Sequence, residues 1–352
     1  MGVGIGLDIG ASAVKLVELL GGKEIRVNCL GMVPLASGLV SAGEVKEPAE
    51  VGEVIKSLIG QHSIQSKRVV IAVAGQAAVV RLLKVTLQNK NELADTIMKE
   101  AEKSLPYALD ELYMDYQVIK EDSAQKETEV VLVCARKSII DSQLEAIRIA
   151  GLEPVAVDIQ PLALIRAAGL ENIETYGNIG LLDIGEETSD LIIIKDGIPL
   201  FTRVIPLAGN RITQLIAESI GIPYSSADEL KRVYSDVSRD LAQISMDDID
   251  YKVNSMVQKG VKELTADLKR SFEYFYLQQQ GESEITTLMV SGGGSKLKNL
   301  LPFFNQELNL RVISCPQPEN VVCPAESLME FNEFLPVYNV ALGLALREVT
   351  EA

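Results

Sequence analysis

Two short stretches of the chain carry aspartate, glycine and hydroxyl residues in an arrangement that suits phosphate binding. The first is Asp8-Ile9-Gly10-Ala11-Ser12, and it recurs in form as Asp183-Ile184-Gly185-Glu186-Glu187-Thr188. Glycine lets backbone N–H groups approach phosphate oxygens closely, and the hydroxyl adds a further donor. Any tight hairpin favours Asp and Gly, so one such turn alone is weak evidence. Two turns that face each other across a cleft could hold the β- and γ-phosphates of a nucleotide.

The charged residues of these stretches suggest how a metal ion would be held. Asp8 and Asp183 would flank a Mg²⁺ ion, with water molecules between, because Mg²⁺ keeps much of its hydration shell. Lys15 adds a positive charge on the strand that leaves the first turn. The pattern therefore predicts that a nucleotide and its metal ion lie between two acidic strand ends.

A third candidate element is the triple glycine Gly292-Gly293-Gly294, which follows a predicted strand and opens a helix. Backbone N–H groups and the helix dipole favour negative charge at such a position. The alternative is a plain strand-to-helix turn, although three glycines cost more conformational entropy than such a turn requires. Neither G-x-x-x-x-G-K-[ST] nor a strand-linked G-x-G-x-x-G occurs, which disfavours Walker and Rossmann sites. His62, the one histidine, has no catalytic partner and is predicted to be structural or exposed.

The elements that must position these residues are themselves repeated. The two aspartates lie 175 positions apart (183 − 8), which is about half of 352 residues. Each copy predicts a strand, a turn and a second strand, and each is followed by another turn, Gly21-Gly22 or Asp196-Gly197. Two β-meanders of one design indicate two related lobes.

Other segments complete a predicted division of the chain. Between the meanders, a helical pattern, two strand patterns and a second helix that Gly151 would close indicate a small α+β insertion. After the second meander, helical spacing continues to about residue 280. The predicted parts are a first lobe core (1–82, 158–178 and 335–352), an insertion (83–157), a second lobe core (179–220 and 286–334) and a helix-rich subdomain (221–285).

Composition limits the classes of partner. With 33 Lys and Arg against 49 Asp and Glu, the formal charge is −16, at a hydrophobic content of 47%. Such a chain is globular, and its field would repel nucleic acids and anionic membrane surfaces. The four cysteines are scattered and predicted to be reduced thiols. Neither a signal peptide nor a membrane span is recognisable, which predicts a cytoplasmic protein.

Taken together, these motifs resemble the actin-like (ribonuclease H-like) superfamily that includes actin, Hsp70 and sugar kinases, in which two related α/β lobes close on ATP. The stretches 7–15 and 182–190 are similar to its two phosphate motifs, and 290–296 to its adenosine motif. The segments 160–169 and 341–343 are similar to its two connecting helices. All five appear in the superfamily's order along the whole chain.

A closer resemblance is to the PilM family of type IV pilus assembly proteins, and behind it to the cell-division protein FtsA. Both carry a small insertion in the first lobe, and the stretches 112–118, 150–154 and 201–206 resemble PilM motifs. FtsA normally ends in a membrane-targeting amphipathic helix, whereas this sequence stops at Ala352 after the predicted connecting helix. The resemblance therefore favours PilM.

The resemblance implies a cytoplasmic, ATP- and Mg²⁺-binding scaffold of the inner-membrane pilus machine, which binds the N-terminal cytoplasmic tail of PilN beside the insertion. It also implies other platform proteins and motor ATPases as partners, indirect membrane association and possible homo-oligomers. The implied phosphate contacts are Gly10, Ala11, Ser12, Ala13, Lys15, Gly185, Glu186, Glu187 and Thr188. The implied nucleoside contacts are Gly209, Asp228, Lys231, Gly292, Gly293, Gly294 and Ser295. Asp228 replaces a Glu of the adenine-side motif, and Ala208 replaces the first glycine of a Gly-Gly pair.

Hydrolysis of ATP has the least support in the sequence. By the resemblance, Gln160 would lie near the attacking water, with Asp158 as a second candidate, and neither is a strong base. The sequence therefore predicts at most slow ATP turnover. Alternative interpretations are a small-molecule kinase of the same fold, an FtsA-like protein, and the cytoplasmic protein of a type II secretion platform.

Overall fold

The first of two central sheets begins with an antiparallel meander and continues with parallel strands. This computed structural model describes residues 2–86, 92–105, 107–122, 126–171, 177–279, 284–323 and 328–351. The first-lobe elements are β1 (Val3–Ile9), β2 (Ala13–Leu20), β3 (Ile25–Pro34), the hairpin strands β4 (Val40–Ser41) and β5 (Glu44–Val45), α1 (Pro48–Gln61), β6 (Arg68–Val73) and β10 (Glu153–Ile159). The sheet has the order β10-β6-β1-β2-β3, extended beyond β3 by β16 (Val321–Val322).

The second sheet repeats this design. Its strands are β11 (Asn178–Ile184), β12 (Ser189–Lys195), β13 (Ile198–Ile205), β14 (Ile285–Ser291) and β15 (Arg311–Ser314). Their order is β13-β12-β11-β14-β15, with an antiparallel meander followed by parallel neighbours, as in the first lobe. The half-length repeat in the sequence therefore corresponds to two sheets of the same topology.

The insertion is built on its own three-stranded sheet of order β7-β9-β8. Its elements are β7 (Ala78–Thr86), α2 (Leu93–Ser104), β8 (Leu112–Asp122) and β9 (Glu127–Arg136), followed by α3 (Lys137–Ile149). The predicted bounds of 83 and 157 differ from this arrangement. β7 already begins at Ala78, and β10 lies in the first-lobe sheet because it pairs in parallel with β6. Likewise β16, predicted in the second lobe, pairs with β3. The four-part division stays a prediction with these element bounds.

Helices cover both sheets and join them. They are α4 (Gln160–Ala167), α5 (Gly209–Ile220), α6 (Tyr224–Tyr234), α7 (Ile249–Gln278), α8 (Leu300–Leu308) and α9 (Leu328–Glu351). α9 lies directly on β1, because Gly4 and Gly6 present no side chain and a Cβ at either would overlap the carbonyl oxygen of Ala345 or Ala341. The alternate residues Ile5 and Leu7 face the opposite side, into the first-lobe core.

Two further structural findings bear on the sequence predictions. All four cysteines are free, with Cys134 and Cys315 buried and Cys29 and Cys323 partly buried. Within the described ranges, no helix has the length and apolar character needed to cross a membrane.

Candidate nucleotide site

The two phosphate-type turns have the same backbone geometry. Gly10 donates its N–H to the carbonyl of Ala13 at 3.0 Å, and Gly185 donates to the carbonyl of Thr188 at 2.9 Å. Both pairs lie 175 positions apart, as the repeat requires. Each turn joins the first two strands of its sheet, so both turns occupy equivalent places in the two lobes. Ser12 is exposed and Ala11 partly exposed, whereas Ala13 is buried at the start of β2.

Asp8 and Lys15 form a buried ion pair beneath the first turn. They are cross-strand partners in β1 and β2, and Lys15 Nζ lies 3.0 Å from Asp8 Oδ2. Burial acts to lower the pKa of Lys15, but the carboxylates of Asp8 and Asp183 outweigh it and raise that pKa. Lys15 thus stays charged and faces the acidic strand ends of both lobes.

Asp183 faces Asp190 in the second lobe, where the first lobe has an Asp-Lys pair. Asp183 and Asp190 are cross-strand partners in β11 and β12, and 190 is 15 plus 175. Burial raises the pKa of Asp183 to about 6, despite the attraction of Lys15. Burial and then the charge of Asp183 raise the pKa of Asp190 to about 7. Sequence reasoning did not select Asp190, although the repeat offset that placed Asp183 would have found it.

Asp190→Asn tests this buried carboxyl in the nucleotide-free protein. The folded chain keeps the Asp190 proton up to about pH 7, whereas the unfolded chain releases it near 3.8. The contribution of this group to folding therefore falls as the pH rises from about 4 through 7. In urea unfolding we expect the variant to match the natural chain at pH 5 and to be about 2–4 kcal/mol more stable at pH 8. A difference that does not change with pH, or the same change in the exposed control Asp247→Asn, would contradict the assignment.

The two glutamates of the second turn each contact a different neighbour. Tyr224 at the start of α6 donates its hydroxyl to Glu186 Oε1 at 2.6 Å, and burial together with Glu186 raises the pKa of Tyr224. Ala42, in the β4–β5 turn of the first lobe, donates its N–H to Glu187 Oε2 at 3.1 Å. Glu187 therefore links the second turn to the opposite lobe.

The same turn also caps the N-terminus of α5. Gly209 donates its N–H to the carbonyl of Gly185 at 3.1 Å, and Asn210 donates to the carbonyl of Glu186 at 2.9 Å. These bonds satisfy two of the N–H groups that a helix start leaves unpaired. Gly209 is thus placed beside the turn by backbone hydrogen bonds.

Asp228 and Lys231 form a compact polar cluster beside Gly209. Lys231 Nζ lies 2.8 Å from Asp228 Oδ1 and donates to Thr213 Oγ1 at 2.6 Å and to the Gly209 carbonyl at 3.2 Å. Lys231 is buried, and it joins α6 to the start of α5. Lys231 and Arg232 oppose the effect of burial and lower the pKa of Asp228. The structure therefore brings the predicted adenine-side residues together as one hydrogen-bonded group.

The triple glycine has a packing function at two of its three positions. A Cβ at Gly292, whose φ is +81°, would overlap the backbone of Ile184, and a Cβ at Gly294 would overlap the Ile184 side chain. Gly293 has no described atom within 4 Å of its Cβ position. Ser295 donates its hydroxyl to the Gly292 carbonyl at 2.7 Å, within its own turn. The plain-turn alternative thus accounts for Gly292 and Gly294, and Gly293 is the position open to a ligand.

Gln160 and Asp158, the two candidates for positioning water, both have structural partners. Gln160 Oε1 accepts from the N–H of Gly75 at 3.3 Å. Gly75 in turn lies so close to Asp190 that a Cβ there would overlap its carboxylate. Asp158 is buried, and its Oδ2 lies 3.1 Å from Arg166 Nη1 and 3.2 Å from Arg347 Nη1. The structure thus places Gln160 beside the site and commits Asp158 to two arginines.

The donors for a metal ion are oxygen atoms, as Mg²⁺ prefers. Among the residues described, no group of three or more His, Cys, Asp or Glu side chains is arranged to hold a metal ion. Asp8 and Asp183 both attract Lys15. This donor set suits a Mg²⁺ ion that takes one or two carboxylates and gains its other ligands from phosphates and water.

The strand order, the paired turns and the helices that cross between the lobes define a protein with the actin-like fold. The structure of MreB5 of Spiroplasma citri bound to AMPPNP is similar, with a TM-score of 0.56 at 15% identity over 99% of this chain and 96% of that chain.

The chain belongs to the family of type IV pilus assembly protein PilM, whose model matches residues 6–349. The solved PilM-PilN type IV pilus biogenesis complex is similar, with a TM-score of 0.85 at 30% identity over 98% of both chains. The predicted fold class and the predicted family are thereby confirmed.

Cell division protein FtsA is a more distant relative. The FtsA of Pseudomonas aeruginosa is 23% identical over 97% of this chain and 88% of its own length. The FtsA of Neisseria meningitidis serogroup B is 24% identical over 66% of this chain, which spans 62% of that protein. The resemblance to FtsA predicted from the motifs is confirmed at this level.

Proposed function

We propose that this chain is an ATP-binding scaffold of the type IV pilus assembly platform and binds the cytoplasmic N-terminal tail of PilN. The observation that carries the proposal is the pair of equivalent turns at 10–13 and 185–188, with Asp8, Lys15 and Asp183 between them. Family membership supports the assembly role.

The first turn and Lys15 would hold the phosphates from one lobe, and the second turn would hold them from the other. Exposed Ser12 and partly exposed Thr188 offer hydroxyl donors. Asp8 and Asp183 would hold Mg²⁺, which when bound supplies positive charge between the carboxylates and the triphosphate. Gly293 would border the nucleoside, together with the cluster of Asp228 and Lys231 beside Gly209.

We further propose that ATP turnover is slow. Gln160 already accepts a hydrogen bond from Gly75, and Asp158 is held by two arginines, so neither is a strong base poised for water. We expect phosphate release by the purified chain far below the roughly 1–100 s⁻¹ typical of kinases. A rate in that range without any partner would contradict this part of the proposal.

We place the PilN tail in a groove beside the insertion. The similar solved structure is a PilM-PilN complex, and the insertion sheet of β7, β9 and β8 is a feature that a bare pair of lobes lacks. Binding through a partner's tail would place this chain in the cytoplasm at the inner membrane, beside other platform proteins and motor ATPases. The acidic charge of −16 agrees with indirect attachment, because anionic lipid would repel it.

Isothermal titration calorimetry of the full chain tests both parts separately. We expect Mg-ATP to bind, ATP with EDTA to bind more weakly, and a synthetic PilN tail to bind where a scrambled peptide does not. Absence of heat with the tail, while Mg-ATP still binds, would contradict the partner. Absence of Mg-ATP binding in a chain that still binds the tail would contradict the nucleotide.

A further inference from the structure

Four lysines share one face of the long helix α7. Lys252, Lys259, Lys262 and Lys269 are spaced seven, three and seven residues apart, which places them along one side of the helix. Lys269 lies 3.3 Å from Glu307. Lys259 and Lys262 are exposed, and neither forms an ion pair with a carboxylate in the part of the chain that the structure describes. In a chain of charge −16, this is a local positive surface.

The lysines border an open groove of about 500 Å³. Leu241 and Ala266 contribute apolar side chains to its lining, beside Lys259 and Lys262. The one acid of the lining, Glu263, is paired with Arg211 at 3.1 Å. The groove therefore offers two exposed ammonium groups next to apolar surface. This chemistry suits an acidic protein segment that also carries exposed apolar or aromatic side chains.

The edge strand β8 of the insertion has that complementary character. Tyr113 and Tyr116 are 45% and 39% exposed. The exposed acids beside them are Asp110, Glu111 and Asp115, and the strand itself carries a single lysine, Lys120. Among the described residues β8 pairs only with β9, so one edge of an 11-residue strand is uncovered.

We propose that the α7 groove of one copy of this chain binds the acidic β8 edge of a second copy. The two surfaces belong to different parts of the chain, so the contact is head-to-tail and can repeat into a ring or a filament. The overall negative field disfavours a nucleic acid or an anionic membrane as the occupant, whereas a second copy supplies acid and aromatic groups at one strand. The proposal does not depend on nucleotide binding.

Sedimentation velocity of the full chain, at low and high salt over a range of concentrations, tests this contact. We expect salt-sensitive association that Lys259→Glu/Lys262→Glu weakens by about tenfold or more, because like charges then face each other. Lys23→Glu/Lys67→Glu is the matched control, since both lysines are exposed on the first lobe and both double variants have a charge of −20 (−16 − 4). The control should associate like the natural chain.

A charge exchange distinguishes this contact from a general charge effect. Glu111→Lys/Asp115→Lys alone should also fail to associate, since its groove and its edge are then both basic. An equal mixture with Lys259→Glu/Lys262→Glu should associate again, because the basic groove of one variant meets the acidic edge of the other. Both variants should keep Mg-ATP binding, which separates failure of the contact from failure of the nucleotide site.

Several results would overturn the proposal. They are a natural chain that stays monomeric at low salt, equal weakening in the matched control, and a mixture of the two variants that stays monomeric. Binding to vesicles of phosphatidylglycerol that Lys259→Glu/Lys262→Glu abolishes, without self-association of the natural chain, would assign the groove to a membrane instead.

Discussion

Gly343→Ala is expected to destabilise the folded chain by about 3 kcal/mol. Gly343 lies where α9 crosses α4, and a Cβ there would overlap the carbonyl oxygen of Ala163. No side-chain rotation relieves an overlap with backbone, so the two helices must separate. The same crossing holds Arg166, which donates to the Gly343 carbonyl at 2.9 Å and pairs with buried Asp158. Separation of the helices would therefore also disturb a buried ion pair.

Thermal and urea unfolding measure this effect, with Gly60→Ala as the control. Gly60 lies in α1, is exposed, and has no described atom within 4 Å of its Cβ position. Alanine has the better helix propensity, so this control should stabilise by up to about 0.5–1 kcal/mol. The same substitution is thus expected to have opposite signs at the two sites. Equal effects at both positions would show that the helices do not cross closely at Gly343.

Lys15→Met is expected to weaken Mg-ATP binding on the order of 100-fold, by removing a charged contact of about 3 kcal/mol. Lys15 Nζ lies 3.0 Å from Asp8, and its charge also interacts with Asp183. Without the ammonium group, two carboxylates would face the triphosphate with no protein cation beside them. The expected loss is therefore larger than that of a single surface charge.

Calorimetry with Lys15→Met, Lys15→Arg and Lys195→Met separates charge from shape. Lys195 is exposed at the end of β12 and serves as a control with the same change of charge. We expect Lys195→Met to bind like the natural chain and Lys15→Arg to lose less affinity than Lys15→Met. Circular dichroism of each variant checks that the fold is kept. An affinity of folded Lys15→Met within about threefold of the natural chain would exclude Lys15 from the phosphate site.

Local spacing in the sequence was sufficient to predict the two hairpins. A short turn fixes the register of the strands that it joins, so Gly10 and Ala13 bond as Gly185 and Thr188 do. The same register sets Asp8 opposite Lys15. The half-length offset then predicted two similar lobes, because a repeated hydrophobic pattern folds into a repeated sheet.

The bounds of the insertion and the functions of several site residues depended on contacts between distant parts of the chain. Residue types did not reveal that β10 pairs with β6, and the predicted insertion therefore extended too far. They also did not reveal that Glu187 bonds to Ala42 in the other lobe, or that Gly75 lies against Asp190. Such contacts join residues that no local pattern relates.

The sequence by itself determined that this protein has two lobes, with a phosphate-type turn in each and an acidic residue before each turn. Those features arise from hydrogen bonds and strand pairings between near neighbours. Only the tertiary structure decided which glycines are needed for packing, such as Gly292 and Gly294 against Ile184, and which position stays open, Gly293. The physical reason is that steric overlap and the burial of charge depend on elements that the fold brings together from opposite halves of the chain.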